Sequence, residues 1–312
     1  MSTIEYFRVI IFLTLVFGVY VAEAHVLIEW LRHRREDHSR AIRLGHPAAV
    51  LVHVLAVLGV VCMLYGYFVE PYWLEVSRVQ IRTDKLSQTR FRIVHISDLH
   101  CDPTPRNEEK LDDIINPFDP DIIVFTGDAV NSREAVPLFR RTLRSLNARL
   151  GKFAVRGNID LGGARHWDQF KESGFKLLDS DTVIVRKEGE EIALRGLGPA
   201  ETPSGSRLAG DNDDTFTVYL HHYPSLVEEV KGPRTDLFLC GHVHGGQIAL
   251  PGYGALMTLS STGKKYESGR YEVGATTMYV SRGIGMEGGT APRVRFWARP
   301  EVGIIDVLPE SP

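Results

Sequence analysis

Phe91-Arg92-Ile93-Val94-His95-Ile96-Ser97-Asp98-Leu99-His100 reads as a short β-strand running straight into an Asp-x-His pair. The strand is apolar and rich in β-branched residues, and its polar groups follow at the carboxyl end. In extended chain an i, i+2 spacing directs Asp98 and His100 to one side. The arrangement recurs. Ile122–Phe125 runs into Thr126-Gly127-Asp128, Phe153–Arg156 into Gly157-Asn158, Val218–Leu220 into His221-His222, and Leu237–Cys240 into Gly241-His242-Val243-His244. Open α/β sheets form their ligand crevices at the carboxyl ends of strands. One buried Asp or His is ordinarily a hydrogen-bonded core residue. Five such deliveries at the same end of the strands point to a site.

Helix-like stretches at Glu108–Ile115, Arg133–Leu146, Arg165–Ser173 and Ser225–Val230 separate the strands, so the expected fold class is α/β, with sheets covered by helices. Further strands are expected at Thr215–Leu220 and Met278–Ser281. Thr182–Arg186 and Glu191–Leu194, flanking Glu188-Gly189-Glu190, predict a hairpin, and Val273–Val307 predicts more short strands in a β-rich C-terminal layer. All of this belongs to one domain, residues 74–312.

Residues 1–73 differ in kind. Ala48–Val69 is an apolar run broken only by His53, long enough to cross a hydrocarbon core of about 30 Å as a helix. Tyr65, Tyr67, Tyr72 and Trp73 near its end suit the headgroup layer. A first segment over about residues 8–30 is strongly apolar through Val9–Ala22, then interrupted by Glu23, His25 and Glu29. The expected membrane anchor is therefore two helices, about 8–30 and 48–69. Between them lie Arg32, Arg34, Arg35, Arg40 and Arg43, and short basic loops stay in the cytoplasm. If both segments span, the catalytic domain is extracytoplasmic.

Across its 312 residues the chain carries 36 Lys+Arg against 39 Asp+Glu, a formal charge of −3, with 44% hydrophobic residues. That excludes a disordered chain and gives no positive excess for coating nucleic acid, so no nucleic-acid partner is expected. Three cysteines are too few for a disulfide framework. Cys101 and Cys240, beside the polar motifs, read as small packed residues.

Imidazole and carboxylate suit divalent Mn, Fe, Zn or similar ions, and the donor set contains no thiolate. Asp128 follows a glycine that lets the backbone turn closely, and a carboxylate can bridge two ions. Asn158 adds a neutral oxygen. Two dications against Asp98 and Asp128 leave a local charge of about +2, which attracts phosphoryl oxygens.

Asp-x-His, Gly-Asp, Gly-Asn-x-Asp, His-x-Pro (His222-Tyr223-Pro224) and Gly-His-x-His occur in this order. Over roughly Arg90–Val307 the chain resembles the calcineurin-like metallophosphoesterase superfamily. Gly241–Ile248 and Tyr279–Gly285 resemble its bacterial membrane-associated branch in particular. The resemblance implies a four-layer αββα sandwich, here preceded by transmembrane helices. It also implies two divalent metal ions as cofactors: one on Asp98, His100, Asp128 and His244, the second on Asp128, Asn158, His222 and His242, with a bridging hydroxide as nucleophile. His221 competes with His222, and the following x-Pro selects His222.

The expected catalytic residues are Asp128, Asn158, His221 and Asp160. The family usually has His in Gly-Asn-His-Asp/Glu, thought to protonate the leaving group; here Ile159 occupies that place and cannot transfer a proton. Arg165 and His166 read either as substrate contacts or as a solvated pair. Gly283–Gly288 fits a dinucleotide fingerprint, but Thr290-Ala291-Pro292 follows instead of a helix, and a loop near the metals is the family expectation.

The function expected from this sequence is a membrane-anchored phosphoesterase acting on a phosphorylated or diphosphate-bearing lipid or lipid-linked substrate. One family relative acts on a lipid-linked nucleotide sugar diphosphate, a cytoplasmic-face substrate at odds with the extracytoplasmic expectation. The alternatives are a broad phosphodiesterase or nuclease, and a catalytically weakened metal-binding scaffold.

Overall fold

The computed structural model describes residues 3–36, 46–161, 168–201, 214–231, 234–287 and 292–310, with side chains left aside at 33–36. It opens with two helices, α1 (Thr3–Glu36) and α2 (Pro47–Phe68). Pro47 occupies the first turn of α2, where its missing N–H costs nothing, and the His46 ring accepts the Ala48 N–H at 3.3 Å. The helices run antiparallel. Tyr20 OH donates to the Ala56 carbonyl at 3.2 Å, over Gly59, whose missing Cβ leaves room for the ring.

The first helix is longer and less interrupted than the sequence suggested. It runs straight through Glu23, whose carboxylate meets His53 Nδ1 at 2.6 Å; the two polar breaks in the apolar segments are partners of each other. Ile4–Arg32 and Pro47–Tyr72 have mean hydropathy 2.1 and 2.5, yet only 6% and 11% of these windows is buried. A core helix of a soluble protein would be covered. These are long and apolar enough to span a membrane, and their apolar surface faces outward.

The rest is built on strands β1 (Glu75–Thr83), β2 (Phe91–Ile96), β3 (Ile122–Thr126), β4 (Gly151–Val155), β5 (Lys176–Leu177), β6 (Asp181–Lys187), β7 (Glu190–Gly196), β8 (Phe216–Leu220), β9 (Leu237–Cys240), the small hairpin β10 (Ala249–Leu250) and β11 (Gly254–Ala255), then β12 (Gly269–Val273), β13 (Thr276–Val280) and β14 (Glu301–Pro309). One six-stranded sheet has the order β1-β14-β2-β3-β4-β5, the other β12-β13-β9-β8-β7-β6. Helices α3 (Leu111–Ile115) and α4 (Val136–Ser145) cover the first sheet, and α5 (Val227–Val230) packs on the second.

Alternation along each strand sorts the core into layers. Ile93, Val124 and Phe153 of the first sheet meet Leu194, Val218 and Leu239 of the second between the sheets. Val94, Phe125 and Ile304 face the other way, onto Leu111, Phe139 and Leu143 of the helices. Tyr219, Phe238 and Met278 face Val227 and Val230 on the far side. The result is helices, sheet, sheet and helix. Central strands buried on both faces explain why they read as unbroken apolar runs.

The expected 182–194 hairpin is present as antiparallel β6 and β7. Two expectations need correction. Asp168–Ser173 forms turns, not the end of a helix, and residues 162–167 lie outside the described residues. The C-terminal segment is not a separate layer: β13 joins the second sheet, while β14 inserts into the first between β1 and β2. β1, which pairs in parallel with β14, had no strand expectation; it is an edge strand in which only Val76, Val79 and Ile81 are apolar. In both sheets the carboxyl ends of β2, β3, β4, β8 and β9 meet along one rim.

Candidate metal centre

The motif residues leave their strands abruptly. Asp98, His100, Asp128, His242 and His244 all have positive φ, of 50°, 39°, 58°, 72° and 51°. For residues with a Cβ this conformation costs roughly 1 kcal/mol or more each, and such strain persists where surrounding structure enforces it. Here Asp98 N–H donates to the Gly127 carbonyl at 2.9 Å and His100 N–H to the Asp128 carbonyl at 3.1 Å, stitching neighbouring loops together. Strand alternation is therefore not what brings Asp98 and His100 together; left-handed turns do. Two glycines permit the crowding. A Cβ on Gly157 would stand 2.1 Å from Asp128 Oδ1, and one on Gly241 would stand 2.1 Å from Asp98 Oδ2.

Two groups able to hold a metal ion result: Asp98, His100 and His244, and Asp128, His222 and His242, with the donor atoms of each within 4.8 Å of one another. In the first, His244 Nε2 is 3.3 Å from Asp98 Oδ1 and 3.1 Å from His100 Nε2. In the second, His222 Nε2 is 3.2 Å from Asp128 Oδ2 and 3.0 Å from Asn158 Oδ1. The same Asp128 oxygen lies 3.6 Å from His100 Nε2, so one carboxylate faces both groups. His242 and His244 are divided between the groups and do not act as a pair.

The residues fit divalent ions on their own chemistry. His100 Nδ1 meets the Asn131 side-chain oxygen at 3.0 Å and His222 Nδ1 the Thr126 carbonyl at 2.8 Å, so in both rings the proton belongs on Nδ1 and Nε2 offers a lone pair inward. Burial opposes a charge on His222, but Asp128 and Asp98 outweigh it and raise the ring to about 10. Burial likewise works against Asp98, yet the surrounding imidazoles hold its carboxyl well below the usual range. The carboxylates thus favour positive charge at His222, which an ion on its Nε2 would supply in place of a second ring proton, while burial lowers His100 and His242 toward the neutral form a metal ligand needs.

The family model for calcineurin-like phosphoesterases matches residues 91–246. An uncharacterised metallophosphoesterase of Bacillus subtilis, YkuE, is 33% identical over 264 residues, covering 77% of this chain and 88% of the relative. The chain belongs to the calcineurin-like phosphoesterase family. A relative named phosphodiesterase YaeI in Escherichia coli is 26% identical, covering 78% of this chain and 92% of the relative. Another, named UDP-2,3-diacylglucosamine pyrophosphatase LpxG in Chlamydia muridarum, is 24% identical over 80% and 94%. This is a family of metal-dependent phosphohydrolases.

Two residues expected to be catalytic sit elsewhere. Asp160 is buried, and its carboxylate accepts the N–H groups of Gly157, Asp128 and Ala129 at 2.8–3.0 Å. It braces the Asp128 turn through these backbone amides. His221 follows β8 immediately before His222, and neighbours in extended chain face opposite ways. Its ring turns to the outer layer, near Phe238, and Nδ1 accepts the Tyr223 N–H at 3.0 Å. Asn158, by contrast, is exposed, with its side-chain oxygen 3.0 Å from His222 Nε2. Ile159 uses its N–H to hold Asp128 Oδ1 at 3.0 Å, which leaves Oδ2 to the imidazoles. Arg165 and His166 lie outside the described residues. Cys101 and Cys240 are free and belong to different hydrophobic layers, as small packed residues do. The Gly283–Gly285 turn packs under Asp98, with Gly285 N–H donating to the Asp98 carbonyl at 2.7 Å, the loop role expected for it.

Sequence reading missed three neighbours. Asn131 orients His100, as above. Arg295, fully buried, directs its guanidinium to the Arg282 and Ala298 carbonyls at 2.9 Å each and approaches His244 Nδ1 at 3.3 Å. Half-buried Glu287 faces the cavity, where burial raises its pKa. A fully buried Arg in a loop carries no spacing signal; only its burial reveals it.

Proposed function

We propose that the chain is a membrane-anchored phosphoesterase that cleaves a phosphoester or diphosphate bond in a lipid or lipid-linked substrate, using both candidate ligand groups. One observation carries the lipid part. The cavity in front of His242 and His244, about 250 Å³, has Val9, Phe12 and Leu13 of α1 as its opposite wall. A water-soluble substrate needs no membrane helix at the reacting atoms; a lipid headgroup does.

In this reading Asp98, His100 and His244 hold one ion, and His222, His242 and Asn158 the other, with Asp128 common to both. Two divalent ions bound there would neutralise a phosphoryl group and supply an activated water. The residues do the rest. Asn158, exposed beside His222, orients the substrate oxygen, and Asp160 fixes the Asp128 turn. Isoleucine at position 159 offers no proton to a leaving group. A phosphate leaving group, with a second pKa of about 6, needs little help, whereas an alkoxide does. The reading therefore favours diphosphates over alkyl monoesters.

The orientation proposed is extracytoplasmic for the catalytic domain. Both helix ends nearest that domain, Glu5 and Gly66, touch it, through Thr258 and Arg295. The Arg-bearing connection lies at the other end of the hairpin, and basic loops remain cytoplasmic. A C-terminal reporter should be active only outside the cytoplasm; activity inside would reverse the orientation.

The test of function is a turnover panel on the purified full chain with Mn²⁺: a lipid diphosphate, an alkyl phosphomonoester and an aryl phosphodiester. Preference for the lipid diphosphate supports the reading. Turnover of the aryl diester alone would replace it with a broad phosphodiesterase, and none at all with a metal-binding scaffold.

A further inference from the structure

Leu13 of α1, in the wall of the cavity at His242 and His244, also borders a second apolar space. This second space is a widely open apolar depression on the outer surface of the helix pair, lined by Leu13, Thr14, Val16, Phe17 and Tyr20 of α1 with Met63 of α2. One side of the Leu13 helix turn meets the metal-site cavity through Val9 and Phe12; the next turn opens into the outer depression.

The junction is built, not loose. Glu5, one turn before Val9, is buried, and its carboxylate accepts both the Thr258 N–H at 3.1 Å and the Thr258 hydroxyl at 3.0 Å. Those bonds pin α1 against the Leu256–Leu259 segment, which forms the cavity's floor. At the far edge Gly66 accepts the Arg295 N–H at 2.9 Å, and Glu70 accepts the Trp297 N–H at 2.9 Å, fixing α2 to the loop that carries Arg295. The two helices are docked at separate points, so the depression on their outer surface keeps a fixed relation to the site.

We propose that this track holds one hydrocarbon chain of the substrate, and that Leu13 is a specificity-determining residue at the point where the chain passes from the metal-site cavity into the outer depression. The inference rests on the lipid reading given above and adds the path of the chain and the residue that measures it. The cavity is small against the 300 Å³ or more of ordinary ligand pockets, so it admits a headgroup junction and a few methylenes, not a folded lipid. The remaining methylenes continue past Leu13 into the depression lined by Val, Phe, Tyr and Met side chains. Both spaces are lined almost wholly by apolar atoms away from the imidazoles, which suits an alkyl or prenyl chain and repels a sugar or nucleotide.

The experiment uses the full chain in phosphatidylcholine nanodiscs and has two arms. In the first, the metal-free protein is irradiated with a long-chain lipid phosphate carrying a diazirine midway along its chain. Labelling should concentrate on Phe12, Leu13 and Met63 and be lost in Leu13→Trp. Labelling scattered over the outer faces of both helices, unchanged by that substitution, would overturn the proposal. In the second, kcat/KM is measured for Leu13→Trp and Leu13→Ala on a long-chain lipid diphosphate and on an aryl phosphodiester. The ratio of lipid to aryl turnover should fall about tenfold or more in the tryptophan variant, the scale of a mismatched methylene or more in an apolar pocket, and the alanine variant should accept bulkier chains. Equal losses on both substrates in both variants would overturn it. If the wild type turns over the aryl diester but no lipid, the function reading fails, and the labelling arm still decides the track.

Discussion

The two candidate ligand groups are near neighbours and share Asp128, yet they meet the solvent differently. Asp98, His100 and His244 are all buried, backed by Asn131, Arg295 and the 281–287 loop. The other group has a buried His222 but a half-buried His242 and an exposed Asn158 at its edge. The first is the more enclosed, with each donor oriented by a second contact, and meets the cavity only at His244. The second is open where a substrate would enter. Two ions of the same kind in these places would have different duties: one held as structure, one exposed to exchange with substrate oxygens.

The largest effect should come from the residue the groups have in common. Asp128→Asn is expected to cost about a hundredfold or more in turnover, the scale seen when a catalytic electrostatic group is lost. Activity near wild type would show that the groups do not work as one centre. Asn131→Ala attacks only the buried group, by releasing His100 Nδ1. Loss of an orienting partner typically costs about 10–100-fold in metal affinity or activity, so calorimetry should find one Mn²⁺ site weakened and the other intact. Equal weakening of both would erase the distinction drawn here.

A third change tests the open side. Ile159→His should raise kcat/KM on an alkyl phosphomonoester by more than on a lipid diphosphate, within the roughly 10²–10⁴-fold range of a positioned acid and toward its lower end. If the wild type already prefers the alkyl ester, another residue is the acid.

The last prediction concerns the floor of the buried group and reads stability, not turnover. His95, fully buried with Nε2 2.8 Å from Thr126 Oγ1, is lowered by burial to about 4, against the weaker opposing pull of Glu301 and Asp98. The folded protein binds that proton less readily than the unfolded chain, whose His titrates near 6.5. Its contribution to stability is therefore complete above about pH 6.5 and lost as the pH falls toward 4, by up to about 3 kcal/mol. Denaturant melts of wild type and His95→Gln should converge over that interval. Parallel profiles would show the loss arising elsewhere.

Much of this centre is legible in the chain itself. Strands β2, β3, β8 and β9 announce themselves because they are buried on both faces and so contain little but apolar residues. The candidate ligand residues follow directly at their ends, in motifs whose order matches the family pattern. The two N-terminal helices are equally plain, since each is a long run of apolar residues, enough by length and composition to cross a membrane. What failed was reasoning by local spacing. His221 and Asp160 stand beside candidate ligands in sequence, but alternation at a strand end turned one outward, and three backbone amides claimed the other.

Sequence by itself determined which residues would be polar at the strand ends, that their side chains are of the types that suit hard or borderline cations, and that two segments are long and apolar enough to cross a membrane. These follow from composition and period over a few residues. Tertiary structure alone decided how His242 and His244 divide between two groups, because left-handed backbone, not alternation, aims them. It alone brought Arg295 to His244 across 51 residues, and Glu5 to Thr258 across 253. Contacts at such separations leave no periodic trace in the chain. They arise only when packing brings distant segments together and a buried charge must find whatever partner stands beside it.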